Sequence, residues 1–467
     1  MVFVVAWASL GHQIVVLSGR RGLLPFAPMV EQARHRGLRG LLDAPTWFVL
    51  GASDLALSVV PWIGAALALA ALFRLRPRLC LLLTTLLYLS FAPVLSGFWY
   101  PPDDLLVECG LLAALVREDA ASPLGHLLLR VLIFKLYIES GIAKWQSPLH
   151  DWIDGSAMTH YYEVLPVPAP VAWYLHKLPA AAHHLESWGV LVLELVVPFA
   201  VFGGRRPRLG AALVFSIFQL LNILTGNFGH FAYLSLALNV LLLDDRDVAR
   251  ARAWLARTIR VPSAPASLAV AVPLDVDARA AKRNPRWGGL VVAAYVGLSA
   301  FVAFGGRLGA GRLFEGLHAL SAYRMFDYVR RERVDPELQT FDGASWTAQP
   351  LRFLPGDPAR APGFVAPYLP RVDVGLGFYQ THRRLPPPAS VLLSRLCHDP
   401  AAVQPLFARP LPASPRAARI ALVQIRFTTA DERRQTGAYW QREPAGVGEE
   451  IDCAITPPAP DPRAEGQ

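Results

Sequence analysis

Five ionisable side chains lie inside apolar stretches of this chain. They are Glu108 in DDLLVECGLL, Lys135 and Glu139 in RVLIFKLYIES, Lys144 in SGIAKW and Glu194 in LVLELVVP. Such groups are costly in hydrocarbon, so each is a candidate functional group whose partner must be found. Lys135 and Glu139 are one helical turn apart and can pair with each other; a structural ion pair that neutralises itself inside a bundle is the plainer account. Glu194 is alone on its stretch and needs a cation, with Lys135 and Arg130 as candidates. Lys144 stands where its apolar stretch ends. It reads either as a lysine that snorkels toward water or as a partly buried amine fit to act as a base. Asp103 and Asp104 precede Glu108 and fit a first helical turn, where carboxylates cap free amides.

The stretch after Lys144 is of a different kind. Residues 144–187 gather Asp151, Trp152, His160, Tyr161, Glu163, Trp173, His176, His183, His184 and Glu186. Imidazoles and carboxylates bind metals, but their spacing matches no standard ligand set, so no metal and no cofactor is assigned. The four cysteines (Cys80, Cys109, Cys397, Cys453) make no CxxC and suggest neither a zinc site nor a disulfide framework. Whether Cys397 and Cys453 pair is left open. There is no G-x-S-x-G elbow and no phosphate-binding loop. The glycines of GGRLGAGR (305–312) are in the wrong order for a dinucleotide site and read as a linker.

Membrane helices must position these groups. The composition is 53% hydrophobic and only 17% charged, against about 25% charged in soluble domains. A spanning helix needs ~20 mostly apolar residues, and candidates fall at 2–17, 47–73, 79–99, 105–116, 124–143, 188–203, 209–224, 228–243 and 288–304; 105–116 is short and reads as a half-helix or as a span that starts earlier. The first reads as a span and not a cleaved signal. The net charge of +9 is mostly arginine in short loops, a topology signal and not a nucleic-acid arm. With nine spans, three basic clusters fall on one side, around Arg76, Arg206 and residues 246–287, which makes that side cytoplasmic. Loops 18–46 and 144–187 then face outward, although Arg20, Arg21, Arg34, Arg36 and Arg39 run against the rule. Abundant Ala, Arg and Pro point to a GC-rich bacterial genome and so to the inner membrane.

From residue 305 the texture changes. TAQPLRFL and ARIALVQIRFTT alternate like strands, and DGASW is a turn signal. The expected architecture is a polytopic α-helical membrane protein of about eight or nine transmembrane helices followed by a small β-rich soluble domain. Residues 1–245 form the helical part, 246–287 a basic cytoplasmic loop and 288–306 the last span. Residues 313–443 form the β-rich domain on the non-cytoplasmic side, and 444–467 a disordered tail. In that domain Arg330, Arg331, Trp346, Arg371, Tyr379 and Trp440 are candidates for an interface rich in aromatics and arginine; a solvated, salt-bridged surface is the alternative.

Several blocks, in one order, resemble the lipase maturation factor family. They include GRRGLLP (19–25), DDLLVECGLLA (103–113), ESGIAKW (139–145), HYYEVLPVPAPVAWYLHKLP (160–179), LTGNFGHF (224–231), PYLPRVDVGLGFY (367–379) and IRFTTADERRQTGAYWQRE (425–443). The resemblance implies a membrane factor, in the endoplasmic reticulum of animals, that helps secreted lipases fold and assemble. The β-rich domain and the 144–187 loop would meet exported client proteins, lipases among them, outside the bilayer. A more distant resemblance links YIESGIAKW…DW (137–152) to the transmembrane domain of the vitamin K-dependent carboxylase family. It implies an alternative, a membrane enzyme with Lys144 as base acting on a quinone-like or lipid substrate. A transporter using Lys135, Glu139 and Glu194 is a third reading.

Overall fold

Apolar runs that open on a proline or a capping side chain fold as helices, and most of the first 300 residues do so. The computed structural model describes residues 1–37, 40, 45–116, 123–259, 288–304, 318 and 320–455. The first apolar run is parted at His12 and Gln13 into α1 (Val2–Gly11) and α2 (Ile14–Ser18). A short amphipathic helix, α3 (Ala27–His35), follows. Ser53 accepts the Ala56 amide and starts α4 (Asp54–Leu72). Next are α5 (Pro77–Leu89), α6 (Pro101–Ala113) and the 23-residue α7 (Pro123–Trp145). The 144–187 loop carries two short helices, α8 (Ala157–Val164) and α9 (Pro170–Leu175). Then come α10 (Ala180–Leu195), α11 (Arg205–Thr225), α12 (Phe231–Asn239), α13 (Asp245–Ile259) and α14 (Gly288–Phe304).

Among the described residues, three helices are long and apolar enough to cross a membrane: Asp54–Leu72, Ala180–Phe202 and Arg205–Thr225. The segments Val2–Gly11, Pro77–Leu89, Phe231–Leu242 and Gly288–Ala303 are shorter apolar helices. The expected 79–99 span ends early, because α5 stops at Leu89 and tight turns through Gly97 (φ +85°) lead to α6. The expected linker at 305–312, residues 260–287 of the basic loop, and Arg39 lie outside the described residues.

The second part is built on an antiparallel sheet of order β2-β1-β3-β4. β1 (Arg333–Phe341) turns at Asp342, whose carboxylate accepts the Ala344 and Ser345 amides, into β2 (Trp346–Ala348). Only Thr347 and Ala348 of TAQPLRFL are in a strand. Pro350 has no amide to continue the ladder, and Leu351 forms an isolated bridge to Phe407. After α15 (Arg371–Gly377) and α16 (Pro388–His398) comes β3 (Ala417–Phe427), which pairs with β1 from Arg333↔Ile425 to Phe341↔Ala417. Thr429 and Glu432 form a capping box for α17 (Ala430–Thr436). The chain then enters β4 (Trp440–Asp452).

β4 corrects the expected tail from residue 444. The segment pairs with β3 up to Asp452, and Cys453 forms a disulfide with Cys397 of α16. Its polar, Gly- and Pro-containing sequence belongs to an exposed edge strand, so it carries little apolar alternation to read. Residues 456–467 lie outside the described residues.

The apolar core is continuous across both parts. One cluster runs from Trp7, Leu10 and Tyr88 through Leu132 to Leu338, Leu376 and Leu393. A second joins Trp152, Tyr161 and Trp173 of the 144–187 loop to Ile425, Phe427 and Trp440 of the sheet.

Candidate functional site

α7 places its polar groups on successive turns, and each turn takes different partners. Glu108 of α6 is the lowest hub. It accepts Lys135 Nζ at 2.8 and 3.1 Å, the Tyr295 hydroxyl at 2.7 Å and the Tyr323 hydroxyl at 2.6 Å. Lys135 therefore pairs with Glu108, not with Glu139 one turn along. Glu139 instead accepts the backbone amide of Tyr323 at 2.8 Å, and Ser140 donates to the Tyr323 carbonyl at 2.8 Å. All four charged or hydroxyl side chains at the hub are buried, so the carboxylate is satisfied by one ammonium and two phenols.

One turn further, Lys144 donates to Glu194 of α10 at 3.0 Å and to the Met325 carbonyl at 2.8 Å. Glu194 thus finds Lys144, and neither Lys135 nor Arg130. Gly141 makes this pair reachable: a Cβ there would lie 2.9 Å from the Cβ of Glu194, so only glycine lets α10 come this close. The Lys144 ammonium also sits 5.2 Å from the centre of the Trp152 ring, within range for a cation–π contact. Paired on two sides and buried, it acts as a cross-link between α7, α10 and the chain at Met325.

The polar loop continues the same job. Trp152 Nε1 donates to the Phe326 carbonyl at 3.1 Å, and Asp151 accepts the Val329 amide at 2.6 Å while also taking the Ser147 hydroxyl. The segment 323–329 is therefore held almost residue by residue along α7 and its exit. Burial raises the Asp151 carboxyl above its ordinary range, against the pull of these hydrogen bonds.

Further out, the loop meets the sheet. Glu163 accepts the Phe427 amide at 2.8 Å. Arg333 donates to the carbonyls of Glu163 (2.8 Å), Leu165 (2.6 Å) and Pro166 (3.1 Å) and is bracketed by Asp335. Trp173 packs edge-on to Tyr439 with the Arg433 guanidinium 4.7 Å from its ring. The His176 ring lies beside Phe427, 3.5 Å from the Glu163 carboxylate; burial pulls this imidazole down to about 3. His160 is half-buried on α8, and Tyr161 lines a small chamber with Lys144. Among the described residues no three His, Cys, Asp or Glu side chains gather as a metal-binding group.

The candidates for a client surface divide. Arg371 is buried, held by Asp103 at 2.6 and 2.7 Å and by the Phe98 carbonyl at 2.6 Å. Trp440 is also buried, stacked on Phe427, with its Nε1 on the Arg360 carbonyl at 3.1 Å. Both correct the expectation of an exposed role: they tie the second part to the first and to itself. Arg330 is half-buried and donates to the Thr381 carbonyl at 2.6 Å. Trp346 lies under Arg419 at 4.0 Å, Tyr379 is half-buried, and Arg331 is exposed.

Sequence reasoning missed Tyr295 and Tyr323, because nothing local marks a tyrosine that will donate to a glutamate some 200 residues away. It also took Asp103 for a cap alone. Asp103 does accept the Tyr100 amide at 2.9 Å, but its main partner is Arg371. The RVD triplet occurs twice, at 333–335 and 371–373, and both arginines plug into the helical part; that repeat was the available signal. Asn227, two residues past the end of α11, accepts the Val365 and Ala366 amides at 2.7 and 2.9 Å.

These junctions join two separate family regions. Residues 1–250 match the lipase maturation factor transmembrane domain, and residues 319–448 match the lipase maturation factor C-terminal domain. The chain belongs to the lipase maturation factor family. Lipase maturation factor 1 of Homo sapiens is 27% identical over 503 residues, covering 96% of this chain and 85% of the relative. Lipase maturation factor 2 of Gallus gallus is 35% identical over 276 residues, covering 55% of this chain and 38% of the relative. The chain thus spans most of the human factor 1 and well under half of the chicken factor 2. No solved structure matches it. Family membership and the apolar helices make it a membrane protein, with a small antiparallel sheet docked on its helices.

Proposed function

We propose that this protein assists the folding, assembly or maturation of exported lipases, working from a bacterial inner membrane. The observation that carries the reading is the match to both parts of the lipase maturation factor family, in order, with human factor 1 aligned over nearly the whole chain. In this reading eight or nine helices span the bilayer. The loop 144–187 and the sheet lie on the outer side, where clients pass. The Cys397–Cys453 disulfide supports that side, since such bonds persist in oxidising compartments. The packing of Glu163 and Trp173 against the sheet supports loop and sheet sharing one side of the bilayer.

The client surface is proposed to be the outer face of the sheet, with Arg331, Trp346 and Tyr379 contributing. The buried contacts beneath would make that face rigid, which lowers the cost of ordering it on binding. The test is co-expression of the full-length protein with an exported lipase that misfolds alone. Active, soluble lipase is expected to rise at least several-fold, and the rise to fall when Arg331 and Trp346 are replaced together by Ala. A lipase yield unaffected by the full-length, correctly folded protein would end this reading. The enzyme reading is not favoured, because Lys144 is occupied by Glu194 and the Met325 carbonyl.

A further inference from the structure

Where the helical part meets the second part, a cavity of about 700 Å³ remains. Its size is in the range of roughly 300–1,000 Å³ that small ligands occupy. Phe228, Phe231, Met325, Phe326, Leu369 and Phe378 give it apolar walls. It adjoins a smaller chamber of about 70 Å³ that holds the Lys144–Glu194 pair, and the two share the walls Phe228, Phe231, Met325 and Phe326.

The charges around the larger cavity are unbalanced. Arg324 and Arg384 line it and are exposed. Neither has an ion-pair partner among the described residues, and Asp327 is the one carboxylate among the lining side chains. The inner chamber, by contrast, is electrically compensated, since its lysine and glutamate neutralise each other. An anion is therefore drawn to the arginine rim and not to the inner chamber. The walls take hydrocarbon. Residues 385–387 and the Tyr328–Thr381 hydrogen bond of 3.1 Å bound the space, which suits a flexible chain better than a peptide helix roughly 10–12 Å across.

We propose that this cavity binds a long-chain fatty acid, with its hydrocarbon along the Phe228–Phe231–Phe326 wall and its carboxylate at Arg324 and Arg384. The assignment is independent of which client the protein serves. Carboxylate and guanidinium match in charge and in hydrogen-bond geometry. The shared wall leaves the end of the acyl chain against the inner chamber.

Binding of radiolabelled oleate to the purified full-length protein in nanodiscs tests this. Saturable binding is expected, with oleyl alcohol and octanoate each competing at least tenfold less well. The first lacks the charge and the second the chain. Reversing both rim charges, Arg324→Glu with Arg384→Glu, is expected to weaken oleate at least tenfold without changing the melting temperature. Should that double variant unfold, the milder Arg324→Gln is expected to weaken oleate several-fold. Leu385→Trp, which adds bulk at the wall, is expected to reduce oleate and oleyl alcohol together. Folded protein that does not bind oleate would overturn the proposal. So would oleate binding that ignores the rim arginines or is matched by oleyl alcohol.

Discussion

Asp103 and Arg371 are 268 residues apart in sequence and meet in a two-point ion pair of 2.6 and 2.7 Å, both side chains out of water. The Tyr88 hydroxyl completes the carboxylate at 2.6 Å. Removing one member leaves the other buried and uncompensated, which costs about 3–5 kcal/mol. Arg371→Met and Asp103→Leu should each lower the melting temperature of the detergent-solubilised protein and open the 360–380 region to protease. The double variant should recover much of the loss. Single variants with wild-type melting would show that the pair does not join the two parts.

Lys144 and Glu194 make a sharper test, because two roles predict different outcomes for one pair of changes. If the lysine is a cross-link, Lys144→Met with Glu194→Leu replaces two charges by hydrocarbon and should keep at least half of the lipase-maturation activity. Lys144→Met alone should lose stability on the order of 3 kcal/mol, leaving Glu194 unpaired. A folded double variant with no activity would restore the case for a chemical role of the amine.

The Cys397–Cys453 bridge closes a 56-residue separation and fixes the end of β4 to α16. Cys397→Ser should lower stability by about 2–4 kcal/mol, read as a melting shift in protein kept free of reductant. In intact spheroplasts a membrane-impermeant maleimide should label both cysteines after mild reduction. Label reaching them only after lysis would put the sheet on the cytoplasmic side.

Acid should weaken the seam between loop and sheet. The His176 imidazole, pulled down to about 3 by burial, stays neutral when folded at pH values where the unfolded chain binds a proton. Its contribution is thus complete above the ordinary histidine value near 6.5 and is lost as pH falls toward 3. The groups around it are Glu163, Lys177, His183 and His160, with the Phe427 ring across the seam. Asp373, pushed up to about 6 by burial, acts in the opposite sense and loses stability as pH rises through that value. His176→Phe should therefore flatten the fall in melting temperature between pH 6.5 and 4.5. An unchanged slope would exclude His176 as its source.

The helical runs were legible because apolar stretches of this length leave few alternatives, and β3 showed its alternation openly. β4 was hidden by its place at the sheet edge, where polar residues, Pro444 and Gly446 are tolerated. The polar groups of α6, α7 and α10 were found individually, but their pairing was not. One-turn spacing suggested Lys135 with Glu139, whereas helix packing brought Glu108 closer and the close approach at Gly141 delivered Glu194 to Lys144. Local spacing constrains neighbours on one helix; which helices touch is decided by small residues and by the whole core.

The threading of residues 323–329 along α7 also bears on how the protein is made. Glu139, Lys144, Trp152 and Asp151 emerge from the ribosome long before Tyr323, Met325, Phe326 and Val329, the residues that satisfy them. Until the last third of the chain is synthesised and returns to the bundle, the membrane half carries polar groups without those partners. A truncated or stalled product is thereby distinguishable from a finished one by chemistry alone, and proteases that patrol the membrane have a reason to remove it.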